Sequence, residues 1–280
     1  MKYPFAILLL IIFTSLVSVL RAGPADELSV PEVSPHQDDF RRWALVPIYS
    51  YSFFNKGRKS WQEQDTQILY QLNNQWSLGA ETDVRDRPPS GTDVYYSGLA
   101  SYSPLDALEL HAKISVCPDP SFSANEVYSG GFQYQVIPEL GLLLDYEGFN
   151  FDQGSINEIK PGVTIGITDD LSLALRYVHG WAFSSLEYDY YSGALNIGLP
   201  EGRRLSLSFA YGTDPETDLG SGGNTVNSLS PAYVSSIFFR QPFGKDLNVF
   251  AGIEYVYRLN QNGDELYQQL TPTIGLAWKF

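Results

Sequence analysis

The sequence predicts an all-β fold: a transmembrane, antiparallel, up-and-down β-barrel of about fourteen strands. Three observations predict it. Segments with period-2 alternation follow one another from Trp43 to the end of the chain, and short and long connections alternate between them. The last segment, TPTIGLAWKF, ends on the aromatic Phe280 inside a predicted strand.

The chain begins with a segment typical of a secretory signal peptide. Lys2 precedes an apolar run over residues 5–20, and small residues follow the run. The run is shorter than the ~20 residues that a membrane-spanning helix needs, which disfavours the alternative of an uncleaved anchor. We therefore expect a signal peptide over residues 1–25, a flexible periplasmic leader over residues 26–42, and the barrel over residues 43–280.

Composition excludes several classes of protein. The 18 Lys and Arg residues face 32 Asp and Glu residues, and loss of Lys2 and Arg21 with the signal peptide makes the charge still more negative. Such a surface repels nucleic acid. The single cysteine, Cys117, can form no internal disulfide, so a secreted domain held together by disulfides is excluded. We expect Cys117, at the start of the proline-rich segment 117–125, to be an incidental, semi-exposed thiol.

The alternation separates apolar from polar side chains in each predicted strand. In LELHAKISV, for example, Leu110 and Ile114 lie on one face, and Glu109 and Lys113 lie on the other. A soluble sandwich or lipocalin-like protein would show the same pattern, and it remains the alternative fold. In a membrane barrel the apolar face meets lipid instead, and the sheet closes because unpaired backbone groups are costly in hydrocarbon.

The connections sort into a short set and a longer set. The short connections lie at 73–75, 104–107, 137–139, 168–170, 200–203 and 242–246. The longer ones lie at 55–64, 86–91, 117–125, 152–157, 180–185, 214–228 and 260–265. Short periplasmic turns and longer extracellular loops are typical of outer-membrane barrels, and an even strand number returns both termini to the periplasm. Residues 187–199 and 229–241 alternate poorly, so about twelve strands is the alternative count.

Charged side chains project into the predicted lumen. A Lys or Arg that faced lipid at the bilayer midplane would cost about 2–4 kcal/mol, so charges on these strands indicate a polar interior. The predicted lumen-lining residues are Glu81, Asp83, Arg85, Glu109, His111, Lys113, Asp145, Glu147, Lys160, Arg176, Glu254 and Arg258. Two arrangements are open: charges line a water-filled passage, or acids and bases pair across the lumen and close it. The width of a barrel of about fourteen strands favours the passage.

The last strand resembles the β-signal that the outer-membrane assembly machinery reads. The matching residues are Ile274, Leu276, Trp278 and Phe280. LAWKF at the end, together with LALRYVHGW at 173–181, PEGRR at 200–204 and FAYGTDPE at 209–216, is similar to the YaiO family of outer-membrane β-barrel proteins. The resemblance spans most of the mature chain. It implies a monomeric barrel of the Gram-negative outer membrane, and it suggests, without a firm activity, a role in moving or modifying surface glycans.

Enzymatic chemistry has weak support in the sequence. A barrel lipase or deacylase places a serine, a histidine and a carboxylate or amide near one rim. His111 lies on a predicted inward face and His179 at a strand end, where Ser184 or Ser185 could approach it through a loop. Two barrel histidines without a carboxylate at fixed spacing do not form a metal-ligand set. We therefore expect no catalytic residues, no metal and no cofactor.

The sequence thus predicts an outer-membrane, porin-like channel that passes small polar solutes or a glycan. The first alternative is a sealed structural or surface-binding barrel without transport, and the second is a barrel enzyme that modifies lipid or glycan. We expect a monomer whose partners are outer-membrane lipid, lipopolysaccharide and the assembly machinery, and not nucleic acid.

Overall fold

The computed structural model describes residues 43–280 except for 184, 185, 219–224 and 261, and it describes residues 214–218 and 225–228 by their backbone alone. The predicted signal peptide and leader therefore lie outside the described residues. Within the described part of the chain, no helix combines the length and the apolar character that a membrane span requires.

Fourteen strands form one closed antiparallel barrel, in which each strand pairs with the next and β14 pairs with β1. The strands are β1 (Trp43–Phe54), β2 (Trp61–Gln71), β3 (Trp76–Arg87), β4 (Gly91–Leu105), β5 (Leu108–Val116), β6 (Glu126–Ile137), β7 (Leu140–Phe151), β8 (Gly154–Thr168), β9 (Leu171–Ala182), β10 (Leu186–Gly198), β11 (Arg204–Asp218), β12 (Thr225–Phe243), β13 (Leu247–Leu259) and β14 (Glu265–Lys279). The predicted fold class is confirmed, and the alternatives of twelve strands and of a two-sheet sandwich are wrong.

The first and last strands close the barrel. The backbone N–H of Trp43 donates to the carbonyl of Phe280 at 3.2 Å, and the N–H of Phe280 donates back to the carbonyl of Trp43 at 2.9 Å. From there β1 and β14 stay in register along their length, with Tyr49 opposite Ile274. The aromatic residue that ends the chain is thus part of the seam between the first and last strands.

The connections differ between the two ends of the barrel. At the end that carries Trp43 and Phe280, here the turn end, they span 72–75, 106–107, 138–139, 169–170, 199–203 and 244–246. At the opposite end, the loop end, they span 55–60, 88–90, 117–125, 152–153, 183–185, 219–224 and 260–264. The sequence assigned every connection to its correct end. Six of the seven expected long loops are shorter than predicted because the strands extend into them; 86–91 and 152–157, for example, are reduced to 88–90 and 152–153.

Apolar side chains cover the outer face of the barrel. Ile114 on β5 and Ile274 on β14 are exposed there, whereas their inward-facing neighbours Ser115 and Thr273 are buried. An apolar exterior of this kind suits contact with hydrocarbon instead of water.

Two belts of aromatic residues border this apolar surface. Toward the loop end, tyrosines occupy paired register positions across β9 to β13; they are Tyr177, Tyr191, Tyr211, Tyr233 and Tyr257. At the turn end, Trp43 packs against Tyr70 with ring centroids 4.5 Å apart, and Trp76 stacks on Tyr102 at 4.3 Å. Tyrosine and tryptophan prefer the membrane–water interface, where the ring is partly in hydrocarbon and its polar atom stays hydrated.

One side of the interior is apolar near the loop end. We call this group the inner apolar cluster; its buried members are Ile156, Val178, Ala182, Tyr188, Tyr190, Ala210, Val234 and Val256. They belong to β8 through β13. Inward-facing tyrosine and valine on β10 and β12 explain why the sequence of these two strands alternates poorly.

If the outer face contacts hydrocarbon, an arginine substituted there should destabilise the protein more at the middle of the bilayer than near its edge. Leu175 lies near the middle of β9 and Leu171 lies on the same face at the turn end. Leu175→Arg is expected to lower the free energy of unfolding in phospholipid vesicles by about 2–4 kcal/mol, and the matched control Leu171→Arg by about 0–1 kcal/mol. Guanidinium titration followed by tryptophan fluorescence measures both. Equal losses at the two heights would contradict an outer face in contact with hydrocarbon.

Candidate functional site

The interior wall carries a chain of charges that runs from β5 to β9. Nε2 of His111 on β5 lies 2.9 Å from Oδ1 of Asp145 on β7, and Nη2 of Arg176 on β9 lies 3.1 Å from Oδ2 of the same carboxylate. Asp145 therefore lies between two basic side chains, each from a strand two positions away.

A second group surrounds Lys160 on β8. Its Nζ lies 2.6 Å from Oε2 of Glu147 and 3.0 Å from Oε2 of Glu158. The hydroxyl of Tyr188 on β10 donates to Oε1 of Glu158 at 2.6 Å. The buried ammonium thus has two carboxylate partners, and Tyr188 links the group to the inner apolar cluster.

A third group surrounds Glu81 on β3. Nζ of Lys113 lies 2.8 Å from Oε1 of Glu81, and the amide of Gln67 donates to its other oxygen at 3.0 Å. Nearer the loop end on the same strand as Glu81, Nε of Arg85 lies 2.6 Å from Oδ2 of Asp83. Glu81 and Asp83 on this side of the wall are therefore each paired with a basic side chain.

Glycines let these side chains lie flat against the wall. His111 and Asp145 are both register partners of Gly131 on the strand between them, and a Cβ at that position would lie 2.3 Å from Oδ1 of Asp145. Gly162 lies under Arg176 in the same way, with a Cβ-to-Cγ separation of 2.7 Å, and Gly180 lies under the ring of Tyr188. Each of these contacts runs along the wall over one strand instead of across the barrel.

The remaining predicted lumen residues also lie on inner faces. Glu109 shares the inner face of β5 with His111. Glu254 and Arg258 alternate with the exposed Ile253 and Tyr255 on β13, and Arg258 is buried with its guanidinium 5.8 Å from the ring centroid of Tyr267. The structure thus brings His111, Asp145 and Arg176 together in one group, and it places Glu81 and Lys113 in another.

The two histidines within the described residues, His111 and His179, are not brought together. His179 lies on the outer face of β9, where its Nδ1 is 2.9 Å from Oδ1 of Asp189, and the hydroxyl of Tyr177 donates to the same oxygen at 2.5 Å. His111 lies on the inner face. The serines considered for a triad, 184 and 185, lie outside the described residues. Among the described side chains, no group of three or more His, Cys, Asp or Glu could hold a metal ion.

The interior differs between the middle and the loop end. At mid-height the side chain of His111 is 44% exposed although it faces inward, so solvent reaches this part of the wall. In the inner apolar cluster Val178 is 0% exposed, and Val256 is similarly buried. The sequence analysis did not identify this cluster. The poor alternation of residues 187–199 and 229–241 was the signal that could have revealed it.

Cys117 differs from its expected environment. It is 2% exposed and therefore buried, so the expectation of a semi-exposed thiol is wrong. Burial raises the pKa of the Cys117 thiol, and the neighbours that affect this pKa include Val94 and Asp93 on β4. A raised pKa lowers the thiolate fraction, which makes this thiol a poor nucleophile.

Comparison with known proteins places the fold among outer-membrane barrels. A FadL homologue from Pseudomonas aeruginosa aligns with a TM-score of 0.59 and 8% identity over 85% of this chain and 90% of that one. CymD, a monoaromatic hydrocarbon channel, gives 0.58 and 10% over 89% and 91%, and a bacterial polysaccharide outer-membrane secretin gives 0.57 and 9% over 87% and 100%. No protein-family model and no curated protein matches the sequence. At these identities the similarity establishes the barrel fold.

The glycine under the His111–Asp145 pair predicts a difference between two Gly→Ala substitutions. A methyl group at Gly131 would collide with Oδ1 of Asp145 and with the backbone carbonyl of Leu144, whereas Gly98 on β4 has nothing within 4 Å of its added Cβ. Gly131→Ala is expected to lower the free energy of unfolding by about 1–3 kcal/mol, and the control Gly98→Ala to change it by no more than about 0.5 kcal/mol. Urea titration in detergent micelles measures both, and equal effects would contradict the close packing over Gly131.

Proposed function

We propose that the protein is a channel of the bacterial outer membrane that passes small polar solutes or a glycan through the barrel interior. One observation carries the proposal: the interior wall presents paired charges of both signs, and His111 among them is substantially exposed. Charges that pair along the wall leave the centre of the barrel to water and solute.

The width of the barrel supports a passage. Barrel diameter grows with strand number, and barrels of about eight strands are already just filled by side chains. A barrel of fourteen strands has a wider interior, and side chains such as Arg176 and Tyr188 lie along its wall. We therefore expect that they do not fill its centre.

The interior also supports a polar cargo. The structural relatives include a monoaromatic hydrocarbon channel, a FadL homologue and a polysaccharide secretin, so this architecture serves cargoes of different chemistry. In this chain the middle of the lumen is lined by Lys113, Asp145 and Arg176, which are hydrogen-bonding groups. Hydroxyl-rich solutes such as sugars match these groups better than hydrocarbons do.

The outer face supports placement in the outer membrane, with the turn end in the periplasm. The two aromatic belts fit the two lipid interfaces, and lipopolysaccharide would surround the tyrosines near the loop end. Along β14 the residues proposed to engage the assembly machinery, Ile274, Leu276, Trp278 and Phe280, are all exposed on the outer face. These features, with the motifs noted in the sequence, support membership of the YaiO family and a monomeric barrel.

The main alternative is a sealed structural or surface-binding barrel. The burial of the inner apolar cluster favours it, because Val178 and its neighbours present little accessible surface on that side of the interior. A lipid- or glycan-modifying enzyme is the weaker alternative: the His179–Asp189 pair on the outer face supplies a base with an orienting carboxylate, and the serines considered as its nucleophile lie outside the described residues.

Reconstitution separates a channel from a sealed barrel. The wild-type protein in planar bilayers is expected to give discrete conductance steps, and liposomes that contain it are expected to swell in sugars up to a size limit, because water and solute share the polar lumen. Liposomes with heat-denatured protein are the control. Absence of both conductance and swelling would support the sealed barrel instead.

Charge removal from the wall tests whether the paired residues line the route. The double substitution Glu81→Gln and Asp83→Asn removes two negative charges beside Lys113 and Arg85, so the reversal potential in a salt gradient is expected to shift toward anion selectivity. The matched control is Glu187→Gln, which removes an acid from the outer face of β10. The control is expected to leave the reversal potential unchanged. An equal shift in both proteins would contradict a route along this wall.

A further inference from the structure

The connection between β5 and β6 folds back into the loop end of the barrel. We call residues 117–125 the mouth loop. Its central residues Phe122, Ser123 and Ala124 are buried, with Phe122 only 3% exposed. At its base the N–H of Cys117 donates to the carbonyl of Asn125 at 2.8 Å, and the N–H of Asn125 donates to the carbonyl of Asn150 on β7 at 2.7 Å.

One carboxylate on the inner face of β4 holds the tip of this loop. Asp93 is 1% exposed. Its Oδ1 accepts the backbone N–H of Ser121 at 2.7 Å, and its Oδ2 accepts the N–H groups of Phe122 and Ser123 at 3.1 and 2.8 Å. Hydrogen bonds from backbone N–H groups to a carboxylate are stronger than bonds between neutral groups. Asp93 therefore fixes three consecutive residues of the loop.

Two further inner-face residues hold the loop against the wall. The hydroxyl of Tyr95, the next inward residue of β4, donates to the carbonyl of Ala124 at 2.8 Å. On β3, the guanidinium of Arg87 lies 5.0 Å from the ring centroid of Phe122, and its Nη2 lies 2.6 Å from Oε1 of Glu63. All these contacts are made by side chains of the barrel interior, so residues 121–124 of the mouth loop lie against the inner wall.

The loop faces the inner apolar cluster across the barrel. The mouth loop packs on β3 and β4, and the cluster occupies β8 to β13 on the other side of the closed sheet. Residues 122–124 of the loop are buried, as is the cluster, whereas Pro118, Asp119 and Ser121 are exposed. Packed side chains thus line two sides of the interior at the loop end, while the side chain of His111 at mid-height is exposed.

We propose that the mouth loop is a constriction element, held inside the barrel by Asp93, and that its position sets the size limit of the passage. The inference rests on the proposed channel function. It assigns Asp93 a positioning role: its carboxylate contacts the loop and not the solute, and its removal releases the loop toward solvent.

Cys117 provides a native probe for this release. It is the only cysteine of the chain, it lies at the start of the mouth loop, and its thiol is buried. Loss of Asp93 should expose it and return its pKa toward the ordinary range. Asp93→Ala in the full-length, reconstituted protein is expected to accelerate reaction with a charged methanethiosulfonate reagent by about ten-fold or more. Tyr95→Phe, which removes one hydrogen bond to the loop, should accelerate it less.

The matched control is Asp86→Ala. Asp86 lies on the outer face of β3 at the same end of the barrel, where it accepts hydrogen bonds from Gln62 and Thr92. Labelling of this variant should stay at the wild-type rate. Retention of the heat-modifiable electrophoretic mobility that closed barrels show verifies that each variant is folded. If Asp93→Ala does not fold, the comparison of Tyr95→Phe with Asp86→Ala decides the same question.

Liposome swelling with sugars of increasing size completes the test. Faster labelling together with entry of larger sugars into Asp93→Ala liposomes supports the constriction. An unchanged labelling rate overturns the role of Asp93, and faster labelling with an unchanged size limit overturns the role of the loop as the constriction. Labelling does not depend on conduction: if wild type and Asp93→Ala both fail to pass any sugar while Cys117 is released, the constriction is overturned together with the channel, and only the positioning role of Asp93 stands.

Discussion

Because an unpaired backbone N–H or C=O group costs several kcal/mol in hydrocarbon, a sheet that contacts lipid on one face has to close on itself. Here closure depends on the seam between β1 and β14, where Trp43 and Phe280 exchange both of their backbone hydrogen bonds. Once the seam is formed, every strand has two neighbours and the alternation of side chains fixes which residues face outward. The outer belts and the inner charges are both consequences of this closure.

Inside the closed wall, the placement of small residues decides how the charges interact. Gly131, Gly162 and Gly180 each lie on the strand between two interacting side chains. Because glycine has no side chain, the two long side chains can extend over it and meet. Paired charges that lie flat neutralise one another without filling the centre of the barrel. This arrangement reconciles a wall that is dense in acids and bases with an interior that solvent still reaches at His111.

The character of the interior surface therefore differs between mid-height and the loop end, and between the two sides of the barrel. Lys113, Asp145 and Arg176 form a polar wall at mid-height, while the inner apolar cluster and the mouth loop narrow the loop end. The apolar cluster accounts for the two strand sequences that alternate poorly, since Tyr188 and Val234 face inward where a polar residue would be expected. Weak alternation in a barrel sequence can thus mark a packed part of the lumen instead of a missing strand.

The sequence by itself indicated a barrel of about fourteen strands and the grouping of its connections into short and long sets, because period-2 alternation and turn residues are local properties of the chain. Only the strand pairing decided between fourteen and twelve strands and between a closed barrel and a sandwich. It also indicated the inward face of residues such as Glu81 and Arg258, because each strand has only two faces. Which acid meets which base depended on the register between strands, and the contact of Asp145 with both His111 and Arg176 joins residues from three strands. Likewise, the hydrogen bonds between Asp93 and residues 121–123 of the mouth loop, and the burial of Cys117, depend on the folded barrel. No local sequence pattern encodes the proximity of Asp93 to these loop residues.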